Sequence, residues 1–263
     1  MEHLTCTVDG PVAQVRLNRP DKLNALTMPL LQDLASTAHR LRQDRSVRAV
    51  VLAGEGDSFC AGLDFASVLG DRRALALGFV PRPWRGTNVF QEACWAWRRL
   101  PVPVIAAVHG HCLGGGVQIA LGADVRITHP EARWSVLEGK WGLIPDMTGI
   151  RSLAEQVGKD RAKLLTMTGE TLTGQRAVEI GLATEVSDDP LQAAQSLAVR
   201  LLARSPDALA GAKFLFERSW HTGPRRTFAL ERRVQLRLLR LPNTARARKA
   251  AFSGAAPDYL PRA

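Results

Sequence analysis

The chain has 263 residues, 46% hydrophobic and 23% charged, an ordinary globular composition that suffices for one large domain or one domain with an appendage. No run of about 18 apolar residues occurs and the start MEHLTCTVDG has neither a basic nor an apolar leader region, so neither a membrane span nor a secretory signal is supported and a soluble, cytoplasmic protein is expected. The formal net charge of +10 favours anionic partners, but the basic residues are dispersed and form no zinc-finger or aromatic-basic pattern, which argues for a solvated basic face or a small phosphate-bearing ligand over nucleic acid.

Taken in chain order, VAQVRLN (12–18) alternates apolar Ala13, Val15 and Leu17 with polar positions, as a half-buried strand does. The period then changes. Leu30, Leu31, Leu34, Ala38 and Leu41 form one helical stripe, with Thr27 as cap and Pro29 in the first turn, where a missing N–H does no harm. VRAVVLAG (47–54) is an apolar run closed by glycine, suited to a strand buried on both faces, and VPVIAAVHG (102–110) repeats the form after the helical FQEACWAWRRL. ADVRIT (123–128) is a further strand. Residues 66–90 mix Pro, Gly and Trp with weak helical periodicity and read as a mobile wall beside a pocket. Strands and helices thus alternate over roughly the first 190 residues, the pattern of an α/β fold with right-handed crossovers. The last third carries three amphipathic helices and no strand: PLQAAQSLAVRLLAR, SPDALAGAKFLFERSW with Ser205 as cap and Pro206 at its first position, and RRTFALERRVQLRLLR. Cys6, Cys60, Cys94 and Cys112 are far apart, with no CxxC pair and no metal-ligand spacing, so free and mostly buried thiols are expected.

Two glycine turns carry the chemistry. FCAGLDF (59–65) follows one buried strand and LGGGVQIA (113–120) the other. Each places bare backbone N–H groups just past a strand end, where ligands bind in open α/β architectures. Were the turns to face each other, two amides would converge on one oxygen, an arrangement in which loss of one donor costs about 2.7–4 kcal/mol of transition-state energy. The second donor would also start a helix, whose dipole adds to the field. A tight strand-to-helix turn would explain the glycines as well. Phosphate binding fits poorly, because neither G-x-G-x-x-G nor GxxxxGK[ST] is present; serine hydrolysis lacks its G-x-S-x-G. His109 and His111 flank the second turn without an acidic orienter and suit packing roles.

VAQVRLNRPDKLNALT, FCAGLDF, HGHCLGGGVQIALGADVRI and WSVLEGKWGLIPDMTGIRSL resemble, in this order and spacing, the crotonase superfamily of enoyl-CoA hydratases and isomerases. The resemblance covers roughly residues 8–190, and TGETLTGQRAVEIGLATEV followed by SPDALAGAK is similar to the family's C-terminal part. It implies a crotonase-like α/β spiral of ββα units over residues 1–195, holding an acyl-CoA site, and a helical trimerisation region over 196–263 in a homotrimer or hexamer. It also implies a coenzyme A thioester as substrate, with no separate cofactor and no metal. By motif position the oxyanion donors would be the N–H groups of Leu63 and Gly115, with Gly114 in the same binding turn. Coenzyme A would run past Lys22, Ala25, Ala61 and Asp64, and Lys213 would reach its phosphates.

A thioester carbonyl makes its neighbouring carbon acidic, and a carboxylate must then move protons or activate water. In the hydratase pattern two glutamates share this work, one of them three residues after the middle glycine; here that position is Gln118 and the second is Glu138. A glutamine cannot accept and return a proton at neutral pH, although its amide can line the pocket and orient a ligand. Asp146 follows Glu138 by eight residues, an offset that resembles the carboxylate pair of dienoyl-CoA isomerases. Two carboxylates in a partly apolar pocket can supply one base and one acid. The plainer readings are a surface Glu138 beside Lys140 and an Asp146 that caps a helix over MTGIRSL. Trp134 and Trp141 suit core or trimer interface. The expectation is therefore an enoyl-CoA hydratase/isomerase-type enzyme that leans toward a double-bond shift. The alternative, which Gln118 makes credible, is a non-catalytic acyl-CoA-binding protein.

Overall fold

A computed structural model describes residues 3–263, apart from the side chain of Leu69. The chain opens with β1 (Leu4–Asp9) and β2 (Val12–Leu17), then α1 (Met28–Gln43), β3 (Ala49–Gly54), α2 (Phe65–Gly70), α3 (Arg72–Phe79) and α4 (Val89–Arg98). It continues through β4 (Val104–Val108), β5 (His111–Leu113), α5 (Gly115–Ala120), β6 (Val125–Thr128), β7 (Arg133–Ser135) and a 3-10 turn (Leu137–Trp141). After α6 (Gly149–Val157), α7 (Lys159–Thr168), β8 (Leu172–Thr173), α8 (Gly174–Glu179) and β9 (Glu185–Val186), four helices close the chain: α9 (Pro190–Leu202), α10 (Pro206–Ser219), α11 (Pro224–Leu238) and α12 (Pro242–Ser253).

The main sheet has six strands in the order β1-β2-β3-β4-β6-β9, parallel except for the β1–β2 hairpin. A second sheet, β5-β7-β8, pairs β5 with β7 in parallel. β3 and β4 are buried throughout, so their alternate residues feed two cores. Val50, Leu52, Val104 and Ala106 join Leu30, Leu34 and Trp97 of α1 and α4. Ala49, Val51, Ile105 and Ala107 meet Ala194 and Ala198 of α9 on the opposite face. Strands covered on both faces explain their unbroken apolar sequence.

The Thr27 hydroxyl accepts from the Leu30 N–H, and Ser205 caps α10 in the same way through Ala208. The expected break at 195/196 falls inside α9, which packs on the main sheet and belongs to the core; the helical appendage begins with α10. Residues 66–90 hold α2, α3 and a turn tied by the Arg82–Thr87 bridge. In the last third, the short β9 extends the sheet edge where no strand was expected. Three of the four cysteines, Cys60, Cys94 and Cys112, are buried, and all four are free. Among the described residues no helix is long and apolar enough to cross a membrane.

Candidate active site

The two glycine turns lie against each other. Cys60 donates its N–H to the His111 carbonyl at 2.8 Å and accepts from the Leu113 N–H at 2.9 Å. On its other side the segment is clasped by Leu26, whose N–H donates to the Gly62 carbonyl at 2.7 Å and whose carbonyl accepts from Asp64 at 2.9 Å. This pattern leaves the N–H of Leu63 facing away from Leu26 and, among the described residues, without a backbone acceptor. The N–H of Gly115, first residue of α5, is free in the same sense. Gly62 has φ +95°, and a Cβ built on it would stand 3.7 Å from the Gly115 nitrogen. Gly116 answers a different need: a Cβ there would come within 2.5 Å of the Cys60 carbonyl oxygen and force the turns apart.

The Glu138 carboxylate comes to the same place, within electrostatic reach of Asp146. A Cβ on Gly114 would lie 3.4 Å from Glu138 Oε1, which sets the Glu138 carboxylate beside the second turn. Gln118, one helical turn into α5, donates from Nε2 to Glu138 Oε1 at 2.7 Å and accepts from the Gly149 N–H at 2.9 Å. Glu138 Oε2 is buried and, among the described residues, has no hydrogen-bond partner. Burial pushes the Glu138 carboxyl above the usual range and the Asp146 charge adds to the shift, while its own backbone and the Gln118 amide pull the other way. Burial raises Asp146 as well. Asp146 does not cap α6, because the N-cap position belongs to Thr148. Such a site offers two main-chain donors for an oxyanion and two carboxyl groups whose burial favours the protonated form.

Residues 7–249 match the enoyl-CoA hydratase/isomerase family. The chain belongs to that family. It is 36% identical over 211 residues to the 1,2-epoxyphenylacetyl-CoA isomerase of Escherichia coli, covering 78% of each chain. Against the 2,3-dehydroadipyl-CoA hydratase of the same organism it is 30% identical over 265 residues, covering 100% of both. The solved enoyl-CoA hydratase of Mycobacterium tuberculosis superposes with a TM-score of 0.88 at 26% identity, covering 99% of each chain. This crotonase-type fold and an enzyme of the hydratase/isomerase class are thus established together.

Within this family member the remaining expected site residues divide sharply. Asp64 caps α2 through the Ser67 N–H and pairs with Arg19 at 3.2 Å, and these bonds hold its carboxyl below the usual range. Arg19 also donates to the Ala25 carbonyl. Ala61 donates its N–H to the Leu23 carbonyl at 2.9 Å, and Lys22 is exposed in the adjoining turn. These four therefore line one ledge beside the first glycine turn. Its buried strut is Asn24, whose amide nitrogen donates to the Glu55 and Ser58 carbonyls and whose oxygen accepts from the Arg19 N–H.

Lys213 must be reassigned. Its Nζ is bound by the Trp97 and Val102 carbonyls and by Asp124 at 2.7 Å, with the side chain only 8% exposed, so it fastens α10 to the core and is not free for a phosphate. Trp134 is core and donates from Nε1 to Thr128. Trp141 is not: it is exposed and packs on Phe65 with ring centroids 5.0 Å apart, joining the turn that carries Glu138 to the one that carries Leu63. His109 contacts the Gly56 carbonyl and His111 the Ser58 hydroxyl, both holding turns. Gly149 and Arg19 were missed; the only sequence signal for Arg19 was its place in the RPDKLNAL motif.

Proposed function

We propose that this enzyme shifts a double bond in an unsaturated acyl thioester of coenzyme A. The Leu63 and Gly115 amides hold the thioester oxygen. One of the pair Glu138 and Asp146 removes a proton from the carbon next to the carbonyl, and the electron pair moves into the conjugated system and onto the held oxygen. The other, protonated, returns a proton farther along the chain. One C–H bond breaks, another forms, and no electrons leave the substrate. The substrate brings the coenzyme A, with the ledge of Lys22, Ala25, Ala61 and Asp64 beside it, and no separate cofactor takes part. The reading is supported above all by Gln118: the position that would carry a second hydrating glutamate holds an amide engaged on both sides. The exposed Phe216, Trp220, Phe228 and Phe252 of α10 to α12 form the surface on which a homotrimer, or a hexamer of two trimers, would assemble.

The test follows absorbance with crotonyl-CoA and with a 3,5-dienoyl-CoA. Turnover of the dienoyl substrate at least about tenfold above hydration of crotonyl-CoA is expected, a difference of ~1.4 kcal/mol in barrier. Faster hydration overturns the isomerase reading. Tight binding of both thioesters without turnover establishes the acyl-CoA-binding alternative instead.

A further inference from the structure

We infer that Gln118 is a positioning residue: by bridging the Glu138 carboxylate and the Gly149 amide it selects Oε2 of Glu138 as the atom that exchanges the proton. The inference rests on the proposed role of Glu138 and adds which oxygen acts and what holds it. Gln118 is 1% exposed, so its amide has no water to turn toward. Its orientation is dictated by chemistry. A main-chain N–H can only donate, so the Gln118 oxygen must face Gly149 at 2.9 Å and the nitrogen must face Glu138 at 2.7 Å. Glu138 Oε1 therefore meets a donor and has to keep its lone pair. A proton arriving at this carboxylate can sit only on Oε2, the buried oxygen with no hydrogen-bond partner.

The bridge also fixes the segment between the two carboxylates. Glu138 lies in the 3-10 turn, Gly149 starts α6, and Asp146 sits between them. Gln118 thus ties both ends of the stretch that presents the pair. The fit is close: a Cβ on Gly149 would come within 2.5 Å of the Gln118 oxygen. The titratable groups that act on or feel the Glu138 charge are Asp146 and, from α4, the Cys94 thiol, which burial keeps protonated.

The test reads the Glu138 carboxyl by infrared pH titration, its band assigned by loss in Glu138→Gln, in the wild type, Gln118→Met and Gln118→Glu. In the wild type the protonated band should be that of an acid whose carbonyl accepts one hydrogen bond and whose O–H donates none. A donating O–H overturns the inference even if neither variant folds. Gln118→Met removes the donor, so the Glu138 midpoint should rise by about one pH unit, equivalent to ~1.4 kcal/mol. Gln118→Glu, nearly the same shape, should raise it too, because two adjacent carboxylates then share one proton. The limb of the pH–kcat profile that coincides with the wild-type midpoint should move with it. Folded variants with an unmoved midpoint and limb, whatever their stability, overturn the inference. Because the infrared titration needs no substrate, absence of turnover on either thioester would overturn the proposed function and still leave the bridge measured.

Discussion

Two glutamates, Glu92 on α4 and Glu138 on the turn before α6, show how one chain tunes the same side chain in opposite directions. Burial alone pushes both carboxyls up. Around Glu92 the molecule supplies partners for both oxygens: His39 at 2.6 Å, Arg99 at 3.1 Å, Arg85 at 3.3 Å and the Thr87 hydroxyl. These overcome the burial and hold it below the usual range. Around Glu138 there are its own backbone and one side-chain amide donor, a neighbouring carboxyl of the same sign and an oxygen with no side-chain partner among the described residues. The first arrangement locks α1, α4 and the end of the 66–90 wall together; the second keeps a carboxylate able to change its charge. Burial marks neither as functional. The partners decide.

The contrast predicts opposite outcomes for the same conservative change. Glu138→Gln should lower kcat by about 10²–10⁴, the range expected when a positioned acid or base is removed. The same variant should be more stable than the wild type at pH 7, by about 1 kcal/mol. The sign follows from linkage: with a folded-state pKa above the ordinary 4.5, the folded protein binds more protons than the unfolded chain between those values, so stability declines as pH rises through that window. Thermal melts across pH, beside turnover on the dienoyl thioester, check both halves; a variant that is inactive and also less stable at neutral pH would remove Glu138 from the second kind and place it with Glu92.

Glu92→Gln should do the reverse. Removing the charge leaves Arg85 and Arg99 half-buried around a neutral amide, and breaking such a cluster costs about 3 kcal/mol. Turnover well below the melting temperature should change less than about threefold, a shift under ~0.7 kcal/mol. Because the folded pKa of Glu92 is lowered, its contribution is present above the ordinary 4.5 and lost as pH falls through the folded value. The wild type should therefore lose stability on acidification in that window more steeply than the variant, as chemical unfolding at stepped pH will measure.

What the sequence disclosed follows the range of the interactions involved. α1 was readable because its cap, its proline and its apolar stripe are local, and the cap bond spans three residues. β1 escaped notice because four of its six residues are exposed, which blurs the alternation. α12, with only Asn243 buried, has too thin an apolar face to declare itself. β8 and β9 have two residues each and exist only because a neighbouring strand is there to pair with. The same division runs through the candidate site. The glycine turns show in the sequence because close backbone approach restricts residue type at the position itself. The bridge from Glu138 through Gln118 to Gly149 joins residues 20 and 31 positions apart, and no local pattern encodes it. The bonds of Lys213 are hidden from the sequence for the same reason: its partners lie 89 to 116 residues away.

That reassignment yields the smallest of the expected effects. If Lys213 served the coenzyme A phosphates, Lys213→Met would weaken binding by the value of a charge-assisted contact, about 1.5–3 kcal/mol or more than tenfold in Kd. With Nζ fastened to Trp97, Val102 and Asp124, calorimetry with coenzyme A should instead find Kd unchanged within about twofold, or ~0.4 kcal/mol. Stability should fall, but only by about 1 kcal/mol. Asp124 is 26% exposed and keeps the Val104 N–H at 2.7 Å, so water can take the place of the lost ammonium, unlike the enclosed cluster at Glu92. A tenfold loss of coenzyme A affinity would return Lys213 to the binding site and require α10 to release it from the core.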